Sequence, residues 1–126
     1  MKFALVQMNP TVGALKENAA KIARFAQAAA AAGADVAVFP EQALCGYPPD
    51  DLVLRPRFMD AVEAEAEQLA AALPEDLLAL VGAPLRAGGK LRNAALLFHG
   101  GKRVAAAQKM LLPNYGVFDE RRIFAP

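Results

Sequence analysis

The stretch Asp35-Val36-Ala37-Val38-Phe39-Pro40-Glu41 decides the fold class. Asp35 to Phe39 reads as a short buried strand, stopped by a proline and followed at once by a carboxylate. Upstream, Phe3 to Gln7 is another apolar run of strand length, and Thr11-Val12-Gly13 turns the chain out of it. Between the two runs, Leu15, Ala19, Ile22, Ala26 and Ala29 step by four and three, which predicts a helix from about Ala14 to Ala32. Glu17 and Lys21 sit four apart in the favourable order on its wet side. Gly33 supplies the stop, because glycine takes the left-handed C′ conformation at little cost. Strand, helix and strand in that order predict a parallel pair with a right-handed crossover, the unit of an α/β fold.

Beyond this unit, an irregular stretch runs from Pro40 to Asp51. Long structured loops after a strand's carboxyl end are where α/β proteins usually place chemistry. Pro56 suits the first turn of a second helix reaching about Leu73, with Phe58, Val62, Ala66, Leu69 and Leu73 as its buried stripe. Leu77 to Gly82 reads as a third strand and Gly88-Gly89 as a turn region. Ala94 to His99 and Lys102 to Lys109 read as a hairpin about Gly100-Gly101. Strands mixed with layered helices predict a mixed sheet, and no repeat or Ser/Gly linker divides residues 1–126.

Composition excludes several functions. The 126 residues carry 14 Lys and Arg against 13 Asp and Glu, so there is no basic excess to neutralise nucleic-acid phosphates. One cysteine excludes an intrachain disulfide framework and a four-cysteine zinc site, and no metal is expected. No apolar run approaches the roughly 18–20 residues needed to span a bilayer, and the amino terminus lacks a signal peptide's long apolar region. A cytoplasmic address with no membrane partner is the default expectation. Hydrophobic residues make up 56% of the chain, but alanine supplies many of them, so core-forming capacity is lower than that figure suggests.

Glu41 and Lys109 are the candidates for chemistry. A carboxylate held rigidly at a Pro40-Glu41 junction after a buried strand can serve as a general base, or it can be a solvated loop residue. Lys109 ends the last predicted strand, where it can balance Glu41 and stabilise an oxyanion, or simply solvate the edge. Cys45 and His99 could form a nucleophilic pair. No third orienting group can be named for them, and small loop residue and hairpin-end surface group are the plainer readings.

Taken together, Phe39-Pro40-Glu41 with Gly46-Tyr47-Pro48-Pro49-Asp50-Asp51-Leu52 resembles the first-glutamate region of the nitrilase (carbon–nitrogen hydrolase) superfamily. Lys109-x-x-Leu112-Pro113-Asn114-Tyr115-Gly116-Val117-Phe118-Asp119-Glu120-Arg121 resembles its lysine region. The opening Ala4 to Gly13, Asn18 and Arg92-Asn93-Ala94-Ala95 are similar to the superfamily's branch of glutaminase domains in glutamine-dependent NAD synthetases. The resemblance covers the whole chain. It implies an α-β-β-α sandwich, of which residues 1–126 are the N-terminal half: a mixed sheet with helices on one face. It also implies a Glu-Lys-Cys mechanism with glutamine as the amide substrate. Glu41 would be the general base, Lys109 the oxyanion stabiliser and Tyr115 a substrate-site residue. Glu120 would be a supporting glutamate that positions the lysine, or else a carboxylate at a helix start beside Arg121 and Arg122.

The family's nucleophilic cysteine belongs to a Cys-Glu-Asp-type motif on a later strand. Met1 to Pro126 holds no such motif, and Cys45 lies in the glutamate loop, where relatives commonly have a small residue. The nucleophile is therefore expected outside the chain, which alone is expected to be inactive. No cofactor is expected here either; ATP, Mg and deamido-NAD are implied only for a separate synthetase domain. A free-standing amidase or carbamoylase and a catalytically inactive interaction module remain alternatives.

Half a sandwich would leave an unpaired edge and an uncovered apolar face. Phe3, Val36, Val38, Leu78, Leu80, Leu96 and Phe98 provide the apolar groups, some of which would be exposed. The isolated chain is thus expected to form homo-oligomers, self-associate or unfold at mild denaturant. Sedimentation combined with urea titration checks this, and a monomer with one cooperative transition at micromolar concentration would argue against it.

Overall fold

Two crossovers in the same direction set the architecture of the computed structural model, which describes all 126 residues. In chain order the elements are β1 (Phe3–Leu5), α1 (Leu15–Ala31), β2 (Val36–Val38), α2 (Pro56–Ala72), β3 (Leu78–Ala87), β4 (Lys90–His99) and β5 (Lys102–Gln108). Short 3-10 turns cover Asp50–Leu54 and Glu120–Arg122. The sheet order is β1-β2-β3-β4-β5, with β1, β2 and β3 parallel and β3, β4 and β5 antiparallel. Crossovers of one hand that step the same way deliver their helices to one face. There α1 and α2 pack against each other.

The core lies between those helices and the sheet. Ala4, Ala37, Ala79 and Phe98 are in register across four strands, so small side chains let α1 approach closely. Ile22 and Ala26 of α1, Met59, Val62 and Leu69 of α2, and Val81, Leu96 and Phe98 of the sheet are buried. In α2 the buried stripe starts at Met59 rather than Phe58, which is only partly covered. In α1, Lys21 does not pair with Glu17: its Nζ donates to the Asn9 carbonyl at 3.0 Å and ties the β1–α1 connection down.

No element covers the other face. Leu5, Val38, Leu80 and Leu97 lie in register along it. Phe3 and Leu5 are exposed, and Val38, Leu78 and Leu80 are partly so. Val36, Leu96 and Phe98 go the other way and are buried, the last two because their parity turns them toward the helices.

The antiparallel part is longer than the sequence suggests. Strands expected over 77–82 and 94–99 are ten residues each, joined in a hairpin at Gly88-Gly89 that precedes the one at Gly100-Gly101. Gly88 and Gly89 have φ of +59° and +72°, the left-handed pair that a tight I′ hairpin turn requires. Pro84 lies inside β3, although proline removes a ladder donor. The fold tolerates it because β2 pairs with β3 only through Leu80, so Pro84 has a strand on one side alone, opposite Asn93.

The glutamate loop is seated by close approach. It crosses β3 at Gly82, where Leu44 N–H donates to the Gly82 carbonyl at 3.1 Å. A Cβ on Gly82 would overlap Gln42 N and Pro40 O and stand 2.7 Å from Glu41 Cα, all backbone atoms of the loop. Buried Asn18 locks the loop from below, accepting from Thr11 N–H (2.9 Å) and donating to the Thr11 (2.8 Å) and Leu44 (3.1 Å) carbonyls. Gly82→Ala is expected to lower stability by about 1–3 kcal/mol, the usual cost of overpacking a rigid contact. A lower urea midpoint with an unchanged slope would confirm it; an unchanged midpoint would show that the loop moves freely.

Candidate active site

Three charged side chains reach one point on the uncovered face from three segments. Glu41 follows β2 across the Pro40 junction, Lys109 follows β5, and Glu120 opens the last 3-10 turn. Lys109 Nζ donates to Glu41 Oε1 at 2.7 Å and to Glu120 Oε1 at 3.1 Å. Glu120 is buried at 6% exposure, while Lys109 and Glu41 retain 32% and 45%, so the ammonium lies between a buried carboxylate and an open one.

A register shift in β5 aims the lysine. Lys102 lies opposite His99 and Arg103 opposite Phe98, but Ala105 lies opposite Leu97, leaving Val104 as an extra residue. One inserted residue reverses the face of everything after it. Lys109 consequently continues opposite Asn93, to whose carbonyl its N–H donates at 2.8 Å. Unshifted pairing would have turned it toward the helices.

Glu120 is held by the segment around it. Leu112 and Phe124 are buried, Phe124 N–H donates to the Glu120 carbonyl (2.7 Å), and Ala125 N–H to that of Leu91 (2.8 Å). This answers the question left open by the sequence: the Glu120 side chain faces Lys109 rather than its arginine neighbours. Arg122 instead pairs with Asp119 (2.8 Å) and Asp51 (2.6 Å).

Sequence reasoning missed the polar groups behind this pair. Asn93 Nδ2 donates to Glu41 Oε1 at 2.6 Å and more loosely to Glu120 Oε2 at 3.4 Å. Gln42 Nε2 donates to Asn93 Oδ1 at 2.7 Å, and the Cys45 thiol to Gln42 Oε1 at 2.9 Å. Tyr47 OH donates to Glu120 Oε1 at 3.0 Å. The available signal was an amide side chain in each of two apolar segments, at Gln42 and Asn93, since a buried amide has to find partners.

The remaining candidates lie apart. Tyr115 is exposed and packs edge-on against Phe118, ring centroids 5.7 Å apart, with no bond to the charged cluster. Cys45 is fully buried and bonded to Gln42, whereas His99 Nδ1 faces the Leu77 carbonyl at 3.4 Å. His99 is six residues along β4 from Asn93, about 20 Å at roughly 3.3 Å per residue. Cys45 and His99 form no dyad.

A cleft of about 330 Å³ opens beside Glu41, Asn93 and Lys109, floored by Val38, Leu80 and Ala95. A larger one, about 560 Å³, lies on the helix side between α2 and β5. It holds none of the candidate residues, and Arg86 on its rim is already forked onto Glu63 and Asp60. The smaller cleft is therefore the one with chemistry. It does not suit a divalent cation, because Lys109 Nζ already fills the position between the two carboxylates; no cluster of three His, Cys, Asp or Glu side chains occurs elsewhere.

Electrostatics fix the protonation of the groups around the pair. Partial burial draws the Lys109 ammonium down, but the hydrogen bonds and charges of Glu41 and Glu120 outweigh it and hold the lysine above its ordinary value. Burial, then the hydrogen bond and charge of Glu120 and the charge of Glu41, push the Tyr47 phenol up to about 12. Burial pushes the Cys45 thiol up to about 12 as well, so it stays protonated and is a poor nucleophile. All three groups hold protons more tightly folded than unfolded. Their stabilisation is complete below the unfolded values of 9.0, 10.0 and 10.5 for Cys45, Tyr47 and Lys109, and is lost as pH climbs through the raised ones. Urea midpoints are expected to fall steadily between pH 9 and 12, with the lower part of the fall removed by Cys45→Ser. A flat profile would contradict the buried thiol and phenol.

The carbon-nitrogen hydrolase family model matches residues 2–126. A glutamine-dependent NAD(+) synthetase of Synechocystis sp. is 46% identical over 98% of the chain, and one of Xylella fastidiosa is 44% identical over 98%. The chain spans 23% of the length of each, at their N-terminal end. Among solved structures, the glutamine-dependent NAD(+) synthetase of Cytophaga hutchinsonii superposes over 98% of the chain and 21% of its own, with TM-score 0.91 and 25% identity. The Nesterenkonia AN1 amidase of the nitrilase superfamily matches over the whole chain and 48% of its own, with TM-score 0.81 and 25% identity. With the family model matching residues 2–126 and a mixed sheet whose helices lie on one face, the chain belongs to the carbon–nitrogen hydrolase family.

Proposed function

We propose that this chain supplies the general base and the oxyanion-stabilising cation of a glutamine amide hydrolase that delivers ammonia for NAD synthesis. The observation that carries the reading is Lys109 Nζ lying 2.7 Å from Glu41 Oε1 at the mouth of the open-face cleft. Support for glutamine and NAD comes from the names of relatives up to 46% identical. The Nesterenkonia likeness supports a simpler amidase, but at 25% identity.

Glu41 takes the proton of the attacking group as that group bonds to the amide carbon. The carbonyl oxygen becomes an oxyanion, to which the Lys109 ammonium donates a charged hydrogen bond. Collapse breaks the carbon–nitrogen bond, Glu41 returns the proton to the departing nitrogen, and ammonia leaves. Water, deprotonated by Glu41 in turn, then hydrolyses the acyl intermediate. Glu120 keeps Lys109 in place and Tyr47 steadies Glu120, while Tyr115, exposed beside Phe118, is assigned to the substrate site on the family resemblance alone. The attacking group is not Cys45, which is buried behind Gln42 and held as a thiol. Nucleotide chemistry is assigned to none of these residues.

Glutamine-dependent ammonia release, measured in the protein that carries this chain, tests the proposal. Glu41→Gln and Lys109→Met are each expected to lower kcat by about 10²–10³-fold, the scale of a lost general base or oxyanion donor. Unchanged activity in both would refute the assignment. Robust activity of residues 1–126 alone, abolished by Cys45→Ala, would refute the account of the nucleophile.

A further inference from the structure

Behind Glu41, a single hydrogen-bonded line runs from Cys45 Sγ to Gln42 Oε1, from Gln42 Nε2 to Asn93 Oδ1, and from Asn93 Nδ2 to Glu41 Oε1. Cys45 and Gln42 are fully buried and Asn93 nearly so, so bulk water is shut out of the line up to Glu41. Its polarity is set from the Glu41 end. At the far end Gln42 turns Oε1 toward the Cys45 thiol and Nε2 toward Asn93, with Sγ also 3.5 Å from the Gly46 carbonyl oxygen. Ionised carboxylates only accept, so Asn93 turns Nδ2 toward Glu41 and Glu120, and Oδ1 back toward Gln42. Reversing Asn93 would set its N–H against that of Gln42 and its oxygen against the carboxylates, and reversing Gln42 would set its oxygen against Asn93 Oδ1, in a buried space.

Both donors that reach Glu41 end on the same atom. Asn93 Nδ2 and Lys109 Nζ donate to Oε1, and no protein group donates to Oε2. We propose that Asn93, oriented by Gln42 and Cys45, is a positioning residue that occupies Glu41 Oε1 and thereby makes Oε2 the oxygen that takes the proton. The inference rests on Glu41 acting as the base. The proton passes from the attacking group to Oε2 while that group's electron pair forms the bond to carbon, and Oε2 gives it up to the departing nitrogen. The lone cysteine then has a defined part as the small buried donor that starts the line.

Side-chain amide NMR of the protein that carries this chain, with asparagine and glutamine selectively labelled, tests the line without any need for catalysis. The Asn93 Nδ2 protons are expected to exchange with solvent at least about tenfold more slowly than those of exposed Asn9. In Glu41→Gln the Asn93 Nδ2 proton resonances should move upfield, because a charged acceptor is replaced by a neutral one. Cys45→Ser, which keeps a donor, should preserve the Asn93 signals, whereas Cys45→Ala and Gln42→Leu should speed their exchange about tenfold, the factor for one lost hydrogen bond. Backbone amides of α1 and α2 show that each variant is folded, and if a Cys45 or Gln42 variant is not, Glu41→Gln decides. Asn93 protons that exchange as fast as those of Asn9, or ignore Glu41→Gln, would overturn the proposal. In the larger active protein, Gln42→Leu should lower kcat about tenfold and leave KM unchanged, because a carboxylate and not a substrate contact is loosened. A raised KM with kcat intact would overturn it too. An intact line in a protein that releases no ammonia would sink the glutamine reading and leave the geometry standing.

Discussion

A single ammonium between two carboxylates is the constraint on which the rest of the site depends. Glu120 carries its charge at 6% exposure, and a charge so far from water needs a partner close by. Lys109 provides it at 3.1 Å while holding Glu41 at 2.7 Å. The interaction spans 68 residues of sequence on one side and 11 on the other, so only a correctly registered sheet can make it. The extra residue at Val104 is part of that register, because it turns Lys109 onto the face where Asn93 and Glu41 wait.

The division of the sheet into two faces follows from chain direction. Both crossovers put their helices on one side, where alanines at 4, 37 and 79 leave room for α1. The site occupies the side left open, where Glu41, Lys109 and Asn93 border an apolar floor. Gly82 makes this workable: without a side chain, it lets the glutamate loop lie directly on β3. Asn18 pins the same loop from beneath, so Glu41 is exposed at its tip and rigid at its base.

Much of this was legible in the chain. The strand–helix–strand opening, the proline that starts α2 and the Gly100-Gly101 hairpin all depend on local periodicity and turn chemistry, and they appear close to where those patterns put them. The full length of the strands flanking Gly88-Gly89 was hidden, because β3 runs on past the point where β2 ends at Val38, opposite Leu80, and that depends on pairing rather than on local pattern. Glu41 and Lys109 stood out through their junctions and surrounding motifs. Glu120 remained ambiguous, since a carboxylate before two arginines looks like a helix-start residue until burial shows which way it faces. Gln42 and Asn93 were silent as chemistry because an amide side chain gains meaning only from what lies opposite it.

The sequence by itself determined the α/β class and the family and singled out Glu41 and Lys109, because periodicity, turn residues and motif spacing are local properties of the chain. Tertiary structure alone decided which face Lys109 takes, that Glu120 turns inward, that Cys45 and His99 lie far apart, and that three buried groups orient Glu41. Those outcomes depend on register, close approach and exclusion of water, which exist only once distant segments have come together.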